Sequence, residues 1–335
     1  MSTFKEIRGT LIKSVSSDPA NPELGEIWYN NTIGSLKGYV NVAAAWSSGG
    51  NLANGRTQHA GAGTQTAAIT YMGVQASPYQ PFGTLTEEYN GSSWTAGGTS
   101  STGRHATASA GTQTAALGAG GYTGPPVFYG NQTEEYNGSS WTAGGNLGTG
   151  RYRGIGFGIQ TAAVAAGGST STGLTNSVEE YNGSSWTAGT VLPSTNGAAG
   201  SDGTLTSGLI FAGSNPTLPV ASFTYDGSTW TAVGNINTYR ASMGSGSAGS
   251  ATSSIAIGGS IPSPFARVGT TELYDGSTWT TSPATKATLS NELAGAGTNT
   301  AALAFSGNIG GGVSPTATEE FTGAFNATQT LTTST

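Results

Sequence analysis

The stretch Thr86-Glu87-Glu88-Tyr89-Asn90-Gly91-Ser92-Ser93-Trp94 decides the fold, because it returns at Thr133 to Trp141, at Val178 to Trp186 and, more loosely, at Phe223 to Trp230 and Thr271 to Trp279. The aromatic that ends each copy falls at Trp46, Trp94, Trp141, Trp186, Trp230, Trp279 and Phe325, with gaps of 48, 47, 45, 44, 49 and 46 residues. A period of about 40 to 50 residues marks a propeller or a solenoid, in which each repeat buries its faces against its neighbours.

Composition points the same way. The 335 residues include 55 Gly and no Cys, and only 8% are charged, against roughly 25% in an average soluble domain. The polar surface is therefore Ser, Thr, Asn, Gln and Gly. Polar residues without charge, regularly spaced aromatics and abundant Gly favour strands and tight turns. No ten-residue stretch carries a helical apolar stripe. A net charge of -6 with 11 thinly spread Lys and Arg offers no patch for a phosphate backbone, so no nucleic-acid partner is expected. The charged start, Met1 to Arg8, lacks the apolar core of a secretory signal, and no run of 18 apolar residues occurs. Synthesis in a cytoplasm and no membrane insertion follow as expectations. Without Cys there is neither disulfide nor thiol chemistry.

One repeat reads as four strands. In the copy from Arg104 to Gly144, Arg104 to Ala110 is the first strand and Gly111 to Thr114 turns it back. The second strand, Ala115 to Gly121, is small and apolar and should be buried on both faces. After a variable loop at 122–132 comes a third strand, Thr133 to Tyr136. Asn137-Gly138 then reads as a type I′ turn leading into Ser139 to Ala143. Units of this kind begin near Arg56, Arg104, Arg151, Asn196, Arg240 and Lys286. Four antiparallel strands per unit make one propeller blade. The expectation is an all-β propeller of six blades at 51–327, with a β-arm at 1–50 and a tail at 328–335. The arm strands would either replace the Phe325 strand of the last blade or form part of a seventh blade.

An Arg opening the first strand, a Gly-Gly doublet ending the second (Gly120-Gly121, Gly167-Gly168, Gly258-Gly259) and Glu-x-Tyr-Asn/Asp-Gly…Trp in the third and fourth together resemble kelch repeats. The resemblance covers about 270 residues. Blades one, four and six depart from it with single glycines, Gly73, Gly213 and Gly307, and blade four lacks the Arg. Within the arm, Gly25-Glu26-Ile27-Trp28-Tyr29-Asn30-Asn31-Thr32, Leu36-Lys37-Gly38-Tyr39 and Trp46 resemble a short module of tailed-phage virion proteins. That resemblance implies a virion location and makes Ile27, Trp28, Tyr29 and Tyr39 candidate attachment residues. Other virion proteins would be the partners.

Catalytic readings are weak. Kelch-like copper oxidases need a Cys-modified Tyr and two axial His, whereas this chain has no Cys. His59 and His105, its only histidines, stand at different offsets in their blades, and two imidazoles without a third ligand are a poor metal site. Asp226-Gly227-Ser228-Thr229-Trp230 and Asp275 to Trp279 resemble the sialidase Asp box but lack one residue of it. The pairs Glu87-Glu88, Glu134-Glu135, Glu179-Glu180 and Glu319-Glu320 recur in phase. Recurrence argues for a structural duty, such as pairing with the Arg that opens a first strand, over a catalytic one. Asn90-Gly91-Ser92, Asn137-Gly138-Ser139 and Asn182-Gly183-Ser184 match a glycosylation acceptor, but the turn itself explains them. No enzyme activity, cofactor or metal is expected.

Strand polarity places the invariant turns on one rim and the variable second-to-third loops on the other. The variable loops bear Pro with Tyr79, Phe82, Tyr122, Phe128, Tyr129 and Phe265, flanked by Arg153 and Arg267, as well as Arg151 and Arg240. Aromatics preordered by Pro lose little entropy on binding, and Arg adds charge-assisted hydrogen bonds. This rim is the expected ligand face, for a host-surface glycan or protein in the manner of a tail fibre. The alternatives are an architectural capsid or tail decoration subunit and a glycan-acting enzyme. Homo-oligomerisation stays open.

Overall fold

A computed structural model describes residues 12–75, 83–217, 219–245, 250–262 and 265–331. The chain is all-β among these residues and divides into two compact units, Trp46–Thr322 and Met1–Ala45 with Gly323–Thr335. The divisions thus fall at 45/46 and 322/323 rather than at the expected 50/51 and 327/328.

Among the described residues the larger unit holds six four-stranded antiparallel sheets, numbered here in chain order, in a β-propeller-like arrangement. In sheet two the strands are Ala108–Thr112, Ala115–Ala119, Thr133–Tyr136 and Trp141–Ala143, paired in that order. Arg104 does not open the first strand. It sits four residues ahead of it, fully buried, as do Arg56, Arg151 and Arg240 in their sheets. The second strands are buried as expected: Ala116, Leu117 and Ala119 are at most 1% exposed.

First strands of consecutive sheets lie side by side, and that of sheet six lies beside that of sheet one. Close backbone approach accounts for the small residues there. A Cβ on Gly156 of sheet three would stand 2.4 Å from the Ser109 nitrogen of sheet two. Apolar clusters are shared between neighbouring sheets. Tyr71 of sheet one packs with Tyr136 and Trp141 of sheet two, and Leu303 and Phe305 of sheet six pack with Ala68 and Tyr89 of sheet one.

The turn between third and fourth strands is not type I′. Only the glycine has positive φ (Gly138, 90°) and the loop has four residues, with Tyr136 facing Trp141. Asn137 instead uses its side-chain oxygen to accept the N–H groups of Ser139 and Ser140 at 3.0 and 2.9 Å. The Gly-Gly doublets have a comparable explanation. Gly120, Gly167 and Gly258 adopt φ of 58–67°, and where the doublet is missing Met72, Ala212 and Ser306 hold the same conformation at 59, 53 and 54°.

Phe325 does not end the sixth sheet. Its fourth strand is Ala45–Ser48, while Phe325–Thr330 belongs to the smaller unit. There Lys13–Val15 lies parallel to Ile27–Asn30, followed by Ser35–Val42 and Phe325–Thr330, both antiparallel. Trp28 is fully buried in this unit, its indole donating to Asp18 at 2.9 Å. Ile27, Tyr29, Leu36, Val40, Val42, Phe325 and Ala327 share one face of the sheet by register.

Candidate functional site

The repeated polar residues are spent inside the framework. Arg104 pairs with Glu134 at 3.1 Å, Arg151 with Glu179 at 2.5 Å, Arg240 with Glu272 at 3.1 Å, and Arg56 with Glu87, all buried. Burial lowers each guanidinium from its ordinary range, and the facing carboxylate opposes that shift. Arg151 and Arg240, expected to flank a ligand, are therefore enclosed. In sheet six the equivalent position is Ser290, and Lys286 reaches Glu319 at 3.0 Å from four residues upstream.

The second Glu of each pair works between sheets. Tyr136 donates to Glu88 at 2.6 Å and Tyr181 to Glu135 at 2.5 Å, while Tyr225 donates to Glu180 and Tyr89 to Glu320. Five of the six closing Trp donate to the third strand of the preceding sheet, among them Trp141 to Thr86 and Trp186 to Thr133 at 2.9 Å and Trp46 to Thr271 at 3.0 Å, whereas Trp230 donates to the Thr190 carbonyl. Gln113 and Gln160 tie the first-to-second turns to carbonyls of the preceding sheet, at 2.6–3.0 Å.

At the opposite end of the first strands a ring of backbone bonds closes on itself. Gln58 donates to Glu292, Glu292 to Ser242, Ser242 to Ala198, Ala198 to Arg153, Arg153 to Ala106 and Ala106 to Gln58, at 2.7–3.1 Å. All six residues have φ between 51 and 56°. Such backbone costs of order 1 kcal/mol per non-Gly residue, and its recurrence in every sheet marks it as a structural device. The side chains of Gln58, Arg153, Ser242 and Glu292 border a cavity of about 110 Å³ that this ring surrounds.

Beside that mouth the variable loops bring aromatics together. Tyr122 lies 5.0 Å from His105, and 5.9 Å from both Phe128 and Tyr152, and Tyr129 lies 5.8 Å from Tyr152. Phe128 and Val127 are 43% and 54% exposed, so the cluster presents an apolar edge to solvent. The Arg153 guanidinium stands 5.6 Å above the Tyr152 ring and makes no side-chain hydrogen bond or ion pair among the described residues. Burial, with Arg153 assisting, pushes the His105 imidazole down to about 4. Burial also holds His59 well below its ordinary value; its Nδ1 lies 2.7 Å from Thr70 Oγ1.

Across the ring, Arg267 donates to Asn291 at 2.9 Å and Asn308 at 3.2 Å, and stands 5.1 Å over the exposed ring of Phe265. The structure thus unites Tyr122, Phe128, Tyr129 and Arg153 in one cluster and sets Phe265 and Arg267 in another. Tyr79 and Phe82 lie outside the described residues. Of the arm candidates, Ile27 and Tyr29 share the apolar face, Trp28 is enclosed, and Tyr39 lies on the other face of the sheet.

Sequence reasoning missed Tyr152, Gln58 and Glu292. A signal existed: the residue one past each buried Arg reads Thr57, His105, Tyr152 and Ala241, the variable position that pairs with the opening of the next loop.

No protein family and no curated protein matches the chain. Among solved structures it is similar to that of YjhT, with TM-score 0.67 and 14% identity over 83% of this chain and 99% of that one. At this identity the likeness shows the fold alone.

Proposed function

We propose that this chain is a non-enzymatic virion protein of a tailed phage that attaches to a host surface through the variable rim of a kelch-like propeller. In this reading the propeller is closed and six-bladed. The cyclic hydrogen bonding from Gln58 round to Glu292 and the seating of Trp46 against Thr271 support closure. The invariant rim serves the framework, since its Gln and Asn side chains are tied to backbone groups.

The observation that carries recognition is the pairing of Arg153 with the partly exposed Tyr122, Phe128, Tyr129 and Tyr152. Five of the other cations of the larger unit are buried in ion pairs and Arg267 is bonded to two Asn. A cation held over an aromatic ring, with its N–H groups making no hydrogen bond among the described residues, is suited to a polar ligand, and half-exposed tyrosines suit the faces of sugars or protein side chains. The recurrent Glu residues are committed to Arg and Tyr, which supports a binding rather than a catalytic role. The smaller unit would hold the particle, its shared apolar face of Ile27, Tyr29, Val40 and Phe325 meeting another virion protein.

Replacing residues 122–132 by the 169–177 loop tests this. Loss of adsorption with particle assembly intact is the expected result. Loss of assembly would favour an architectural subunit instead. Turnover of a host polysaccharide, abolished by a single Glu substitution, would overturn the non-enzyme reading.

A further inference from the structure

The turns between third and fourth strands form an internal comparison. Asn90, Asn137 and Asn182 open three of them and Asp226 and Asp275 two, each followed by Gly. In the Asn turns Oδ1 accepts two backbone N–H groups at 2.9–3.0 Å, one Ser hydroxyl at 2.9–3.0 Å and a second, longer one at 3.4 Å. In the Asp turns Oδ1 accepts the two N–H groups and the first Ser hydroxyl at 2.7–2.9 Å, and Oδ2 takes over the last hydroxyl, that of Thr229 or Thr278, at 2.7 or 3.1 Å. The fold therefore already accommodates a carboxylate at this position. These hydrogen bonds hold Asp226 and Asp275 well below the usual carboxylate range.

The neighbouring atoms fit a covalent change. Asn90, Asn137 and Asn182 are exposed. The amide N–H groups of Gly91, Gly138 and Gly183 make no hydrogen bond among the described residues. Glycine also brings no side chain to obstruct its nitrogen.

We propose that Asn90, Asn137 and Asn182 are sites of spontaneous conversion to aspartate. The glycine nitrogen gives its proton to solvent base and attacks the Asn Cγ. The N–Cγ bond forms, the Cγ–Nδ2 bond breaks, and the amide leaves as ammonia with a proton from water. Water then adds to Cγ of the cyclic imide and breaks the new bond, restoring the main chain with a carboxylate. Opening at the other carbonyl would insert an extra methylene into the main chain between paired residues such as Tyr89 and Trp94. The ladder therefore favours retention of the aspartate product. The three new negative charges take the net charge from -6 to -9. They join Asp226 and Asp275 beside the first-to-second turns, where a Cβ on Gly138 would lie 3.5 Å from Thr114.

The test incubates the full chain, folded, in mildly alkaline buffer and follows it by ion exchange and peptide mass mapping. Up to three successive acidic shifts, mapped to these three residues, are expected. The N90S/N137S/N182S chain should show none of them. The N90D/N137D/N182D chain should elute with the end product and keep the parent unfolding midpoint. The proposal is overturned if the folded chain stays unchanged while the urea-unfolded chain converts, if none of the shifts maps to these three residues, or if the triple Asp chain unfolds at lower denaturant.

Discussion

Sheets two and four share a fold but not its fastenings. Sheet two has Arg104 with Glu134, Tyr136 on Glu88 and Trp141 on Thr86. Sheet four has Asn196 in place of the Arg and Phe223 in place of the Glu, so cation and anion are missing together. Asn196 instead spends its amide on the Ala212 carbonyl at 2.8 Å. The same coupling crosses sheets. Leu273 replaces the second Glu of sheet five, and Phe321 replaces the Tyr of sheet six that would have reached it. The loud repeat is thus largely a set of pairs: the Arg–Glu pair of sheet four and the Glu–Tyr pair between sheets five and six are dropped as units, whereas Tyr274 of sheet five is kept although Thr224 replaces its Glu. A buried charge without its partner costs more than the pair contributes.

Breaking a pair where it is intact should have the largest effect. Glu134→Gln strands the Arg104 guanidinium and is expected to cost about 3–5 kcal/mol in urea unfolding. In sheet four Asn196→Arg alone should destabilise by a comparable amount, and adding Phe223→Glu should recover most of the loss. Without that recovery, the pairs are not the units of the repeat.

The next effect is smaller and has opposite signs in two sheets. Tyr136→Phe removes a bond to Glu88 and should cost about 1–2 kcal/mol. In sheet four Thr224 replaces the second Glu that a Tyr of the next sheet would reach, and the buried hydroxyl of Tyr274 has no partner among the described residues. Tyr274→Phe should therefore be neutral or stabilising by thermal unfolding.

The smallest effect concerns pH at the rim. His105 is held down to about 4, below its unfolded value near 6.5. The imidazole therefore contributes stability that is present above pH of about 6.5 and lost as pH falls towards about 4. Arg153→Ala should raise the His105 titration midpoint, followed by NMR, and make that acid loss of stability smaller.

Much of this architecture was legible because periodicity is a property of sequence. The Glu recurring in phase with an Arg announced a structural pair, and the gap between Trp46 and Trp94 placed Trp46 in register. The exchange at the chain ends was legible only as one of two alternatives, since Trp46 and Phe325 both fit the period; the structure takes the one in which the Trp46 strand replaces the Phe325 strand, with Trp46 meeting Thr271. The Asn turns misled because Asn-Gly serves both a two-residue type I′ turn and a longer loop capped by the Asn side chain. At the rim, Pro and aromatics marked the loops, but Tyr152 hid in the linker between sheets. The Arg residues near the loops looked alike in sequence. Burial separates Arg151 and Arg240 from Arg153.

The central claim is that the Tyr122 cluster meets the host. It is tested most directly by titrating the purified chain on host cells, alongside a Tyr122→Ala, Phe128→Ala, Tyr129→Ala chain with an unchanged unfolding midpoint. Saturable binding by the parent chain, weakened roughly tenfold or more in the variant, is the predicted result. Equal binding by the two chains would contradict it.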